Sequence, residues 1–269
     1  MSKNEIIQEG KSLTISKSFL FPSNAAAVPQ PQPTGPPVSP EPAPRPLHAV
    51  LSGSSVTLVP LGHDHAADLF DAVGGEEKRS LWTYMGDGPY VSRAEFEEAI
   101  LAKSKSDDPL FFAIINTETQ KAIGYATLMR IDTKSRSVEV GNIMFSPLLQ
   151  RTKAATEAMY LLAKHVFVDL GYRRYEWKCD NLNGPSKRAA LRFGFTFEGI
   201  FRQHMIYKSR SRDTAWFSII DTEWPVVRRA FEAWLADTNF DEHGRQKQRL
   251  DDLREELQGQ GGPVVLQTD

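Results

Sequence analysis

The sequence predicts a mixed α/β domain, with one mostly antiparallel central sheet flanked by helices. Strand-like and helix-like segments follow one another as strand, two helices, three strands, helix, strand, helix and a final strand pair. Both layers are needed to bury the apolar faces of such elements. Short polar breaks, one with Asn116 to Thr119 and one with Lys134-Ser135, separate the three consecutive strands. Breaks of that length join antiparallel neighbours, since a parallel crossover needs a dozen residues or more.

Each element has a local cause. "SVTLVPL" (55–61) alternates with period two, as a half-buried strand does. "HDHAADLFDAV" (63–73) and "SRAEFEEAILAKSK" (92–105) carry helical spacing, and the second opens with Ser92 and Glu95 as a capping box. Residues 110–145 are rich in β-branched and aromatic side chains and read as the three strands. A helix is predicted from Ala154 to Leu170, stopped by Gly171. "YRRYEWKCD" is a strand, and "GPSKRAALRFG" is a short helix behind Asn183 as cap. "FTFEGIFRQHMIYK" and "RDTAWFSIID" complete the sheet.

Composition divides the chain into three. Residues 1–47 form a proline-rich arm whose stretch Asn24 to Pro46 has too few large apolar residues for a core and reads as extended or disordered. Residues 48–237 form the folded domain, and 238–269 a charged extension that reads as a solvated helix, with a weak partner helix as the other reading. Net charge is −2, which opposes a general grip on nucleic acid. No apolar run approaches the ~20 residues that span a membrane. The one cysteine, Cys179, builds neither a disulfide framework nor a cysteine-rich metal site, and a reducing, cytoplasmic setting fits.

One helix start stands apart. "FSPLLQRTKAATEAMY" places Arg151 and Lys153 before bare alanines, where the positive end of the helix dipole favours acids. An external anion would resolve that conflict, because helix N-termini present unpaired amides.

Four segments, "EVGNIMFSPLLQRTKAATEA", "YEWKCDNLNGPSKRAALRFGFTFEG", "FRQHMIYKSRSRDTAWFSIIDTEW" and "LWTYMGDGPY", together resemble the GNAT superfamily of N-acetyltransferases and, within it, the RimJ/RimL-like branch that acetylates protein N-termini. The resemblance spans roughly His48 to Asp237 and implies a GNAT fold with splayed strands and acetyl-CoA as co-substrate, without a metal. It implies that Gln150, Arg151, Thr152, Lys153, Ala154, Ala155 and Thr156 form the diphosphate turn, although Lys153 stands where the family has glycine. It places Ile143, Met144 and Phe145 on the strand whose open backbone pairs with the pantetheine arm. Asn183 and Ser186 match the branch's Asn-x-x-Ser arrangement: the asparagine holds the pantetheine, and the serine serves the leaving thiolate. Many members use a tyrosine four residues before the Gly194 position; Ala190 stands there instead.

Glu139, on the same strand, is the candidate base for the incoming ammonium, and pairing with Arg130 or Lys134 is its other reading. Trp82, Tyr84 and Asn142 are candidates for lining the acceptor, and the two aromatics equally fit the core. The resemblance implies transfer to a primary amine, as a small molecule or a protein N-terminus, by direct attack in a ternary complex. A non-catalytic acetyl-CoA sensor and a polyamine or amino-acid acyltransferase are the alternatives. The partner is then the amine, with no nucleic acid or membrane, and monomer and homodimer both remain open.

Overall fold

The computed structural model describes residues 32–259. The chain divides into an N-terminal unit to Ser39 and a compact unit from Pro40 onward. Residues 32–39 carry no regular secondary structure. The apolar stretch "SLTISKSFLFP" of the N-terminal arm lies outside the described residues.

The compact unit holds one eight-stranded sheet. Its strands are β1 (Leu51–Ser52), β2 (Val56–Pro60), β3 (Leu110–Asn116), β4 (Ala122–Asp132), β5 (Ser137–Phe145), β6 (Arg174–Asp180), β7 (Thr196–Tyr207) and β8 (Arg210–Ile220). The order across the sheet is β1-β2-β3-β4-β5-β6-β8-β7, so the last hairpin folds back and leaves β7 at the edge. Every neighbouring pair is antiparallel except β5 and β6.

The helices are α1 (Ala66–Val73), α2 (Arg93–Ser104), α3 (Lys153–Lys164), α4 (Gly184–Arg192), α5 (Trp224–Leu235) and α6 (Leu250–Gly259). They supply two separate cores. Leu69 and Val73 of α1 and Phe96 and Ile100 of α2 pack with Phe111, Ala113, Tyr125 and Met144. Residues of α3 and α5 pack with Leu58, Phe112, Ile114, Leu128 and Val140. Successive residues of β3 therefore enter opposite cores, which is why "LFFAII" reads as an unbroken apolar run.

Both ends of the compact unit are longer than composition suggests. Ala43 is buried, and its N–H donates to the Thr133 carbonyl at 2.9 Å, while Arg45 reaches the Asp107 carbonyl at 3.0 Å. An extended proline-rich backbone has no internal hydrogen bonds and can dock through neighbours in this way. At the other end, Leu250 and Leu253 of α6 are buried against the α5 side of the core. Arg254 donates to the Arg192 carbonyl at 2.9 Å, tying α6 to the end of α4. The charged helix is thus packed along one apolar stripe rather than solvated all round.

Local signals act as expected at two helix starts. Asn183 Oδ1 accepts from Ser186 N at 3.1 Å, with Pro185 in the first turn of α4. Ser92 Oγ takes Glu95 N at 3.5 Å, a weak contact. The predicted long helix instead ends as an α-helix at Lys164, continues as a π-turn over His165–Asp169, and stops at Gly171 with φ +67°.

Glu157 of α3 performs a structural task that its helical context hides. Its carboxylate accepts from Ser54 N, Ser54 Oγ, Ser55 N and Val56 N at 2.8, 2.8, 2.6 and 3.0 Å. Gly53 makes room, because a Cβ there would come within 2.5 Å of the carboxylate carbon. Replacing Glu157 by Ala leaves these amides without their acceptor. The expected loss is about 3 kcal/mol, read from urea unfolding.

Candidate active site

The site begins where two strands part. β5 and β6 pair in parallel only from Ser137 opposite Arg174 to Val140 opposite Trp177. Beyond that point β6 stays paired with β8 as far as Asp180 opposite Thr214, while β5 stays paired with β4. A gap therefore opens alongside residues 141–145 on the β6 side. On the β4 side the register slips between Tyr125–Met144 and Thr127–Gly141, so Asn142 and Ile143 together face Ala126 as a bulge. Asn142 sits in the left-handed region at φ +45°, a conformation asparagine tolerates better than most residues. Ile143 and Phe145 are half-buried beside the gap, and Met144 is buried in the α1–α2 core.

Below the gap lies a chain of charges. Glu139 and Glu176 are opposite each other in the parallel ladder, an unfavourable pairing of like charges. Lys178 Nζ resolves it by reaching Glu139 at 2.9 Å and Glu176 at 2.7 Å. Arg130 holds Glu139 at 2.6 Å, and Arg174 extends the chain to Glu176 and Glu198. Glu139 is 3% exposed. Its Oε2 is held by both cations, so the carboxylate acts as a clamp across the β5–β6 junction. Of the two partners the sequence offered for Glu139, Arg130 is found; a second cation, Lys178, lies on another strand and has no local signature.

Above the gap, β5 runs into the turn before α3. Gln150 folds back, its amide donating to the Phe145 carbonyl at 2.8 Å. Thr152 is the N-cap of α3, accepting from Ala155 N at 3.1 Å. The left-handed residue of the turn is Arg151, at φ +62°. Lys153 is the first helical residue, so the absence of glycine there strains nothing. Its ammonium turns away from the turn to Asp237 at 2.7 Å and lies over the Phe240 ring at 4.7 Å. Thr156, expected at the diphosphate, is buried, and its hydroxyl accepts from Arg192 at 3.0 Å. Arg151 is exposed and makes no side-chain hydrogen bond or ion pair among the described residues. The turn thus offers small buried alanines, the first-turn amides of α3 other than that of Ala155, and one uncommitted guanidinium.

After β6, Ser186 lies in the first turn of α4. Its N–H is held by Asn183, and its Oγ accepts from Trp177 Nε1 at 3.0 Å. Trp177 is the last β6 residue paired to β5. Burial pushes the Cys179 thiol up, and the neighbouring Ser186 hydroxyl acts against that shift. A buried, raised thiol is a poor nucleophile.

The acceptor candidates separate. Trp82 is 1% exposed, donates to the Val73 carbonyl at 2.8 Å and packs edge-on to Tyr90 and Phe96, so it belongs to the core. Tyr84 spans to the Leu182 carbonyl at 3.1 Å, joining the loop before α2 to the loop before α4. Asn142 lines a cavity of about 250 Å³ with Met85, Gly86, Asp87, Lys103, Phe111 and Tyr125. Local patterning did not single out the last six. Among the described residues no group of three or more His, Cys, Asp or Glu is placed to hold a metal ion, and no helix is long and apolar enough to cross a membrane.

A family model described as an acetyltransferase (GNAT) domain matches residues 55–196. The chain belongs to the GNAT acetyltransferase family. A GCN5-related N-acetyltransferase from Brucella melitensis is 50% identical, covering 80% of this chain and 98% of that one, with a TM-score of 0.78. A GNAT-family protein from Chromobacterium violaceum, described as a probable acetyltransferase, is 36% identical over 73% of this chain and 99% of that one, with a TM-score of 0.67. The fold is also shared with RimL, a ribosomal L7/L12 α-N-protein acetyltransferase solved with coenzyme A, at 19% identity, 64% and 99% coverage and a TM-score of 0.55. No significant match is found among curated proteins.

For this acetyltransferase, Arg151→Ala is expected to weaken CoA binding roughly tenfold, the worth of one charge-assisted phosphate contact. Binding of pantetheine, which lacks the diphosphate, should be unchanged. Calorimetry with both ligands checks this, and equal losses would remove the turn from the binding site.

Proposed function

We propose that the chain catalyses acetyl-CoA-dependent N-acetylation of a primary amine by direct attack in a ternary complex. The observation that carries this reading is the Ser186 hydroxyl, fixed at the edge of the β5–β6 gap by Asn183 and Trp177. Because Trp177 donates to Ser186 Oγ, the hydroxyl hydrogen remains for another acceptor.

In this reading the diphosphate of acetyl-CoA sits at the start of α3, held by first-turn amides and Arg151. The pantetheine arm lies in the gap and pairs with the open edge of β5 around Ile143. Its thioester then lies between Asn142 and Ser186. The amine nitrogen attacks the thioester carbon, the C–N bond forms, and the C–S electron pair moves to sulfur. Ser186 donates a hydrogen bond to sulfur as negative charge gathers there. The proton lost by the amine balances the thiolate.

Ser186→Ala is expected to lower kcat roughly tenfold to a hundredfold with little change in acetyl-CoA binding. Trp177→Phe keeps an aromatic ring against Phe193 and Phe195 and removes the N–H together with part of the buried indole, so a melting curve accompanies the kinetics. It should cost several-fold in kcat in the wild-type background and nothing further in Ser186→Ala. Additive losses in the double variant would mean that the two residues act separately.

We assign no base: Glu139 is held by Arg130 and Lys178, and Asp87 is ion-paired to Lys103 through Oδ2. The rate should therefore rise with pH until the substrate's own ammonium has titrated. Glu139→Gln should keep that pH profile while lowering stability by about 3 kcal/mol, because Lys178 and Arg130 lose a partner. A pH-rate profile measured beside a melting curve checks both halves. A large activity loss rescued at high pH would restore Glu139 as the base.

A further inference from the structure

The cavity beside Asn142 has a chemistry of its own. Its walls are the Met85 side chain and the Phe111 and Tyr125 rings. At about 250 Å³ it holds roughly ten non-hydrogen atoms, scaled from a ~150 Å³ cavity that takes benzene. It touches the bulged strand at Asn142, so an occupant lies against the gap where β5 is open.

Its polar atoms fall into two sets. The acceptors are Asp87 Oδ1 and Asn142 Oδ1. Asp87 is engaged by Lys103 and Tyr90 through Oδ2 alone, and Asn142 uses only its Nδ2, towards Met129 Sδ at 3.8 Å. The donors are Lys103 Nζ and the Tyr125 hydroxyl. Lys103 uses one of its three N–H groups on Asp87. The Tyr125 hydroxyl is fully buried and has no hydrogen-bond partner. Burial holds that phenol well above its usual range, so it remains a donor. A buried unpaired hydroxyl in a native fold calls for a partner, which a water or a ligand group can supply.

A second cation stands near. Lys208, from the turn between β7 and β8, donates to the Trp82 carbonyl at 2.8 Å and feels the Asp87 charge. One carboxylate facing two lysines leaves no room for the extra ammonium groups of a polyamine. It favours an occupant that brings its own negative charge.

We infer that this cavity is the acceptor site and that it takes a free α-amino acid with an apolar side chain. The amine meets Asn142 Oδ1 and Asp87 Oδ1, the carboxylate meets Lys103 Nζ and the Tyr125 hydroxyl, and the side chain lies among Met85 and Phe111. This rests on the acetyl-transfer reading above and specifies its substrate. A zwitterion set on the Asp87–Lys103 pair satisfies every spare polar atom named. A peptide N-terminus offers an amide where the carboxylate would be, and leaves Lys103 without its anion.

The test compares L-methionine, L-methioninamide, spermidine and a short methionine-initiated peptide, by thiol release from acetyl-CoA. Methionine should exceed each of the others at least tenfold in kcat/KM. The amide's amine is less basic and more of it is neutral at pH 7, so a preference for the acid cannot come from intrinsic reactivity. Lys103→Gln and Tyr125→Phe should each drive the acid-to-amide ratio towards one, with the acetyl-CoA KM unchanged. Tyr125→Phe removes a hydroxyl with no partner, so its Tm should hold and it serves if Lys103→Gln folds poorly. Equal or better use of the amide, the polyamine or the peptide overturns the inference. Calorimetry with CoA present separates the two claims. Methionine binding that is lost in Lys103→Gln, without turnover of any amine, would uphold the site and overturn the transfer reading. Turnover of another amine without methionine binding would do the reverse.

Discussion

The structure turns on the point at which β5 and β6 stop pairing. Four register pairs hold them, ending at Val140 opposite Trp177, and the strands then follow different neighbours. A parallel junction this short needs reinforcement, and its third pair sets Glu139 against Glu176. Lys178 bridges both carboxylates and is itself 6% exposed, lying over the Trp216 ring at 3.8 Å. A buried ammonium is tolerated only with such pairing. The charge chain from Arg130 to Glu198 spans β4, β5, β6 and β7 and fixes the closed end of the gap, while the Asn142 bulge re-aims the strand above it.

The start of α3 follows the same logic of supplied charge. Two cations precede a helix whose own dipole repels them. The protein answers for one of them: Asp237 and the Phe240 ring take Lys153. That contact also ties the end of α5 to the start of α3, which places the C-terminal segment in the domain. Arg151 alone stays uncommitted, at the one left-handed position of the turn. An L-residue there costs about 1 kcal/mol, which marks the position as one held by more than local preference.

Much of the fold was legible because it is local. Runs of β-branched and aromatic residues located the central strands, and Ser92 and Asn183 marked helix starts with their own side chains. The strand with Ile143 and the helix start after Gln150, on which the candidate site is built, were legible as elements, because a resemblance in sequence preserves backbone geometry. What stayed hidden were side-chain destinations set by partners far along the chain. Glu139 finds Lys178, Thr156 finds Arg192, Glu157 finds the start of β2, and Trp82 finds the Val73 carbonyl. The same residue types at the same spacing would serve an exposed site equally well. The C-terminal helix was misjudged for a related reason: three leucines among many charges suffice when α5 supplies the opposing face.

The two cores explain why the gap is the natural place for a reaction between two substrates. β3, β4 and β5 are covered on one side by α1 and α2 and on the other by α3 and α5, and their backbones are hydrogen-bonded to neighbours. A continuous sheet of that kind separates its faces completely, because the strands stand under 5 Å apart and their amides are paired. Anything held at the start of α3 would be walled off from a cavity lined by α2 and β3. The opening beyond Val140 and Trp177 removes the wall at one place. Asn142 lies on that edge and also lines the cavity, while Ser186 is bonded to Trp177, the last β6 residue paired to β5. In the proposed reaction the sheet therefore acts as a partition with one opening, and the reacting carbon is delivered to it from one side and the amine from the other.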